Sequence, residues 1–171
     1  MTGGANRYIR LESILKKMGN YGSVTKKFAD VLSGKQKTVL LCYPRKEAAY
    51  SFGVTPRAKI LLKRSYILHM DNSGHFVGTG FGKRGHNDPK PLSLLQISKI
   101  PSIIKTARKS EIYFDKKVRG LSRYRIIRQE SKNHIIVVEV SVQKNEITLV
   151  TAYNLIKKRR THNRVRLLSH G

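Results

Sequence analysis

The side chains best suited to chemistry lie in three consecutive segments with alternating apolar residues: Leu121–Glu130, His134–Val142 and Glu146–Tyr153. They are Arg125, Glu139, Thr151 and Tyr153. Alternation marks strands, and the segments SKN and QKN between them suit three-residue hairpin turns. In that register Glu130 pairs with His134 and Val142 with Glu146. Arg125 then stands opposite Glu139, and Val137 opposite Thr151. One face collects Tyr124, Ile126, Ile136, Val138, Val140, Val142, Thr148, Val150 and Ala152. It is apolar and expected to pack on helices. The other collects Arg123, Arg125, Ile127, Ile135, Val137, Glu139, Ser141, Leu149, Thr151 and Tyr153. A face mixing cation, carboxylate, hydroxyl and phenol suits cleavage of an RNA strand. In that reaction a 2′-hydroxyl attacks the adjacent phosphate. It needs a base at that hydroxyl, an acid at the leaving oxygen, and donors on the phosphorane; each positioned acid or base contributes ~10²–10⁴-fold. A histidine together with Arg, Thr and Tyr meets those needs without a metal.

Charge points the same way. Lys and Arg number 35 against 10 Asp and Glu, a formal net charge of +25 in 171 residues. Such a surplus favours a polyanion, nucleic acid first and an anionic membrane surface second. Cys42 is the only cysteine, which excludes an internal disulfide and a cysteine-pair zinc site. His69, His75, His86, His134, His162 and His170 show no ligand spacing. No apolar run is long enough to span a bilayer, and no secretory core is present. There is no Walker-type G-K-[ST], so nucleotide hydrolysis is unsupported. The expectation is therefore a cytoplasmic site of action, no cofactor, and no membrane partner. Blander roles stand beside each site residue. Arg125 and Glu139 form a plausible cross-strand ion pair, Thr151 is a good strand former, and Tyr153 suits stacking on a base. Lys157–Arg160 reads as phosphate-tracking.

The elements that must position these residues come earlier. Tyr8–Met18 has a helical apolar face, and a second short helix starts at Ser23, runs through Leu32 and closes at Gly34. Thr38–Tyr43 reads as a buried strand, Pro44 opens a helical turn, and Gly53 stops it. Arg57–Met70 reads as a strand near Ala58–Leu62 followed by a helical turn over Ser65–His69. Asp71–Pro91 reads as a glycine-bearing loop carrying His75, Lys83, Arg84 and His86. Ser93 caps the helix SLLQISKI, and Pro101 begins a separate turn, PSIIKTA. Glu111–Val118 is a fourth strand. Helices first and an antiparallel meander last make an α+β domain, with the helices packed on a four-stranded antiparallel sheet. The division expected is a helical extension over 1–54, a catalytic domain over 55–160 and a basic tail over 161–171.

Ser65–His69 (SYILH), Ser93–Ile104 (SLLQISKIPSII), Tyr124–Ile127, Ile135–Val140 and Leu149–Lys157 (LVTAYNLIK) occur in an order that resembles the barnase/EndoU/colicin/RelE-like superfamily of ribonucleases, in particular its phage and polymorphic-toxin branch. The resemblance covers about Pro56 to Arg160. It implies metal-independent endoribonuclease activity, often on tRNA, and a toxin-type role held in check by an acidic inhibitor protein. It implies His69, Thr151 and Tyr153 as catalytic residues, with Arg125 as phosphate clamp. Leu68 precedes His69 where the family often has lysine, so the general base stays open among His69, His75, His86 and His134. Lys63, Arg64, Lys83, Arg84, Arg123, Lys157, Lys158 and Arg159 are the expected RNA contacts. The alternative is a non-catalytic basic protein that binds RNA or DNA.

Overall fold

The computed structural model describes residues 3–72 and 92–156, with side chains over 12–69 and 92–155. The helices are α1 (Gly3–Tyr21), α2 (Ser23–Leu32), α3 (Lys46–Ser51), α4 (Arg64–Asn72) and α5 (Leu94–Lys105). The strands are β1 (Thr38–Cys42), β2 (Lys59–Lys63), β3 (Ile112–Val118), β4 (Leu121–Gln129), β5 (His134–Gln143) and β6 (Glu146–Ile156), with a 3₁₀ turn at Lys109–Glu111. The α+β class stands, but the sheet is larger than the sequence led us to expect. It has six strands in the order β1-β2-β6-β5-β4-β3, and β2 runs parallel to β6. The four expected antiparallel strands form one side of it, and the antiparallel pair β1–β2, joined through α3, extends it beyond β6.

One apolar cluster binds the helices to the first face of the sheet. Phe28, Val31, Ile67, Ile97, Ile100 and Ile104 meet Ile60, Leu62, Ile126, Ile136, Val138, Val140, Ile147 and Leu149 there. The cluster draws on residues before position 55 as well as after it. Each fully buried aliphatic side chain contributes about 1.5–3 kcal/mol. That scale explains a departure at α5. A proline inside a helix costs about 3 kcal/mol, and Pro101 was expected to break this one. Instead α5 runs through it. Ile97, Ile100, Ile103 and Ile104 are all buried along its length, and together they outweigh that cost. Ser93 caps α5 as expected, its Oγ accepting from Gln96 N at 3.2 Å while Ser93 N donates to Gln96 Oε1 at 2.9 Å. The Gln96 amide then pairs with Asn154 through bonds of 2.6 and 2.9 Å, which seats the helix on β6.

The hairpin register is where expectation and structure differ most. The β4–β5 pairing is as anticipated: Glu130 N donates to His134 O, and Arg125 faces Glu139. The β5–β6 turn has two residues, Lys144 and Asn145, because Gln143 pairs with Glu146. Val140 therefore faces Leu149, and Ser141 faces Thr148. Thr148 and Leu149 thus exchange the faces assigned to them. A two-residue turn alone would also turn Thr151 and Tyr153 into the core. The ladder shifts between Glu139 and Val140, however, so Glu139 faces Thr151 and Val137 faces Tyr153. Val150 is the extra residue of a β-bulge, and it is buried, as expected of it. The bulge forfeits about one ladder hydrogen bond, a net ~1 kcal/mol. Without it, the paired apolar residues Leu149 and Ala152 could not both reach the core.

Arg128 closes the other end of α5. Its Nε and Nη2 donate to Glu111 at 3.0 and 2.9 Å, and its Nη1 and Nη2 donate to Thr106 Oγ1 and O at 3.0 and 3.1 Å. Burial alone would raise the Glu111 carboxyl. The Arg128 hydrogen bonds, the Arg108 N–H and both guanidinium charges overcome that and hold it below its ordinary value of 4.5. A lowered folded pKa stabilises the fold above the unfolded pKa, and that stability is lost as pH falls through the folded value. Urea denaturation at descending pH should therefore show the wild type losing stability below pH ~4.5. Glu111→Gln should start less stable near neutrality and lack this component of the decline. Parallel curves for the two proteins would contradict the clamp.

Lys144 adopts φ 50° at the hairpin turn, a left-handed conformation that costs an L-residue roughly 1–2 kcal/mol. Lys144→Gly is expected to raise urea stability by about 1 kcal/mol, whereas Lys144→Val should lower it.

Candidate active site on the second face of the sheet

The bulge gathers a polar patch on the face opposite the core cluster. Strand pairing lays it out in rows. The first row runs Lys116, Arg123, Ser141, Thr148, and the second runs Tyr113, Arg125, Glu139, Thr151. Ile127, Val137 and Tyr153 make the third. Neighbouring strands lie about 4.8 Å apart and successive rows about 6.8 Å apart. Arg125, Glu139, Thr151 and Tyr153 therefore fit within the span of a nucleotide or two. Three of the four catalytic residues expected from sequence, Arg125, Thr151 and Tyr153, share this face.

The patch is sunk among apolar residues. Val137 is fully buried, and Ile135, Leu61, Ser141, Thr148 and Thr151 are nearly so. Arg123, Arg125, Glu139 and Tyr153 are half-buried. Arg125 Nη2 reaches Asp115 Oδ1 at 3.7 Å, so its ion pair runs to the bulged residue of β3 and not to Glu139. Among the described residues no ion pair or hydrogen bond holds the Glu139 carboxylate. Among the described residues four buried donors lack a partner, Arg64 Nε on α4 and three on this face: Arg123 Nε, Arg125 Nε and Ser141 Oγ. Such groups cost roughly 1–3 kcal/mol each when left unmade. Two of the three on this face belong to guanidinium groups, so this face can offer positive charge to an anion.

The remaining expected residues fall elsewhere. His69 is exposed on α4, two residues beyond Ile67, whose side chain belongs to the core cluster. His134 opens β5 with its ring Nδ1 3.1 Å from Ser131 Oγ. Five residues separate it from Glu139, about 17 Å along a strand, so it does not join the rows. Lys63 pairs with Glu146 at 3.9 Å across exposed surface. Arg64 begins α4, with its guanidinium beside Gly34. The expected loop begins within the last turn of α4. His75, His86, Lys83, Arg84, Lys157, Lys158, Arg159 and the tail over 161–171 lie outside the described residues. The residues not singled out by sequence are Ser141 and Asp115. Ser141 was legible by parity, since it sits two residues from Glu139 on the same strand. Asp115 was not, because its place depends on a second bulge, between Phe114 and Lys116.

Among the described residues no three His, Cys, Asp or Glu side chains converge on a point, and no helix is long and apolar enough to cross a membrane. Comparison with family models, with curated proteins and with solved structures finds no match.

If the unpaired Ser141 hydroxyl exists to meet a ligand, removing it should relieve the ligand-free fold. Ser141→Ala is expected to hold or gain up to ~1 kcal/mol in urea stability while binding a short RNA more weakly than the wild type. Lost stability with unchanged RNA binding would make Ser141 a structural residue.

Proposed function

We propose that this chain is a metal-independent endoribonuclease of the barnase/EndoU/colicin/RelE-like kind, a toxin-type enzyme acting in the cytoplasm on tRNA or another cellular RNA. The observation that carries the reading is the Glu139 carboxylate, which has no ion pair or hydrogen bond among the described residues. It lies between Arg125 and Thr151 in one row, beside three buried donors without partners. A phosphodiester placed over Arg123, Arg125 and Ser141 satisfies those donors. The same guanidinium groups then take up the charge that grows on the phosphorane oxygens. With the phosphate fixed there, Glu139 is the group positioned to take the proton from the 2′-hydroxyl. Tyr153, in the next row, presents a phenol to the leaving 5′-oxygen or a ring to the base. Thr151 sits between them and orients the attacking sugar. The product pair is a 2′,3′-cyclic phosphate and a 5′-hydroxyl. His69 remains the base implied by the family resemblance, and an acidic inhibitor protein is the partner that the net charge of +25 would favour.

The test is incubation of total RNA with the protein in EDTA, followed by mapping of fragment ends. Discrete fragments with cyclic phosphate ends are expected. Glu139→Gln and Arg125→Gln should each slow cleavage by about 10²–10⁴-fold, with Tyr153→Phe intermediate. If His69→Ala is inactive while Glu139→Gln cuts at the wild-type rate, the base is His69. RNA that is shifted but intact would make the chain a binding protein and overturn the enzymatic reading.

A further inference from the structure

On the helical side of the sheet, a second cationic cleft separates the start of α3 from the end of α5. Its volume is about 570 Å³, and Arg45, Lys46, Thr106, Arg108 and Arg128 line it. Ala48 and Ala107, both buried, lie at its floor. Its walls are tied together by a hydrogen bond of 3.0 Å from Arg45 N to Lys105 O.

The charges here are unequal. Four cations, Arg45, Lys46, Arg108 and Arg128, face two carboxylates, Glu47 on the cleft wall and Glu111 behind it, leaving a formal +2. Glu111 is taken up by Arg128 in a pair at 2.9 Å. Arg45 and Arg108 are exposed, and among the described residues neither guanidinium has an ion pair. Arg128 is held rigid by four hydrogen bonds. A guanidinium has five N–H donors, so one Nη1 hydrogen stays unspent in a group whose orientation is already fixed. One fixed N–H flanked by two exposed arginines without an ion pair is suited to phosphate, whose oxygens accept from guanidinium donors.

We infer that this cleft is a second RNA site, which holds the phosphodiester backbone at a distance from the cleaved bond. It takes RNA as the polyanion from the reading above, but it does not depend on cleavage. Arg45 and Arg108 make the charge contacts, and Arg128 sets the geometry. The site reads no base, since its lining offers cations and a hydroxyl and no aromatic ring. Its contribution is therefore to affinity for long RNA and not to the choice of the cleaved bond.

The experiment compares the full chain with the Arg45→Ala/Arg108→Ala variant and with the charge-retaining Arg45→Lys/Arg108→Lys variant. Equilibrium binding is measured over a salt series. Both probes are 2′-deoxy-substituted RNA strands that stay intact: one is a long single strand, and the other is an oligonucleotide short enough to cover only the sheet face. Each phosphate of a single strand that the protein no longer neutralises makes the salt slope shallower by about 0.7, so the alanine variant should bind the long RNA with a slope shallower by about 1.4. It should bind the short RNA as the wild type does. The lysine variant should keep the wild-type slope, and unchanged melting curves should accompany all three. An unchanged slope on long RNA overturns the inference, and that is also the outcome if the cleft docks an acidic protein instead. Equal loss on both probes overturns it as well, because the residues would then act through the sheet face or the fold. If the wild type leaves unmodified RNA uncut, the enzymatic reading fails while the slope still decides this one.

Discussion

Between Glu139 and Thr151 the β5–β6 ladder carries one residue more on β6 than on β5, and that residue, Val150, decides which side chains the second face displays. Before the bulge, Ile147 and Leu149 enter the core; after it, Ala152 and Asn154 do, while Thr151 and Tyr153 share the second face with Glu139 and Val137. The physical source is the hydrophobic demand of the first face. Losing one ladder bond costs about 1 kcal/mol net, less than exposing one buried leucine. The candidate site is thus a by-product of the way β6 satisfies its core.

The second face carries a cost of its own. Its arginines are half-buried, and among the described residues Arg125 has only Asp115 as an ion-pair partner. A site that leaves donors unpaired in a poorly solvated setting is less stable without its ligand and gains when an anion arrives. The contrast with Arg128 is instructive. That guanidinium has partners for four of its donors and a carboxylate at 2.9 Å, and it holds α5 to the sheet. Arg125, three residues earlier, has a weaker partner at 3.7 Å and an idle Nε. The same residue type is fully tied into the architecture in one place and less completely paired in the other.

Much of this was legible in the sequence because strand periodicity is local. The alternation in LSRYRIIRQE and HIIVVEV fixed the β4–β5 pairing, including Arg125 against Glu139. The run ITLVTAY held the clue to the bulge: apolar residues at 147 and 149 and then at 150 and 152 change phase at the adjacent pair Leu149–Val150. A constant period misassigned Thr148 and Leu149 but kept Thr151 and Tyr153 on the correct face, because a turn one residue shorter and a bulge one residue longer offset each other. The β1–β2 pair and its parallel contact with β6 were not legible. Lys59 and Glu146 are far apart in sequence and meet only through tertiary packing. The Arg128–Glu111–Thr106 clamp was hidden for the same reason.

The central claim is that RNA lies across the second face with a phosphate among Arg123, Arg125 and Ser141. The most direct test is a structure of the protein bound to a 2′-deoxy-substituted RNA strand, which lacks the attacking hydroxyl and stays intact. The account predicts one phosphate within hydrogen-bond distance of Arg123 Nε, Arg125 Nε and Ser141 Oγ, with the 2′ position of the preceding sugar turned toward Glu139. A strand bound elsewhere, with those three donors still unpartnered, would contradict it.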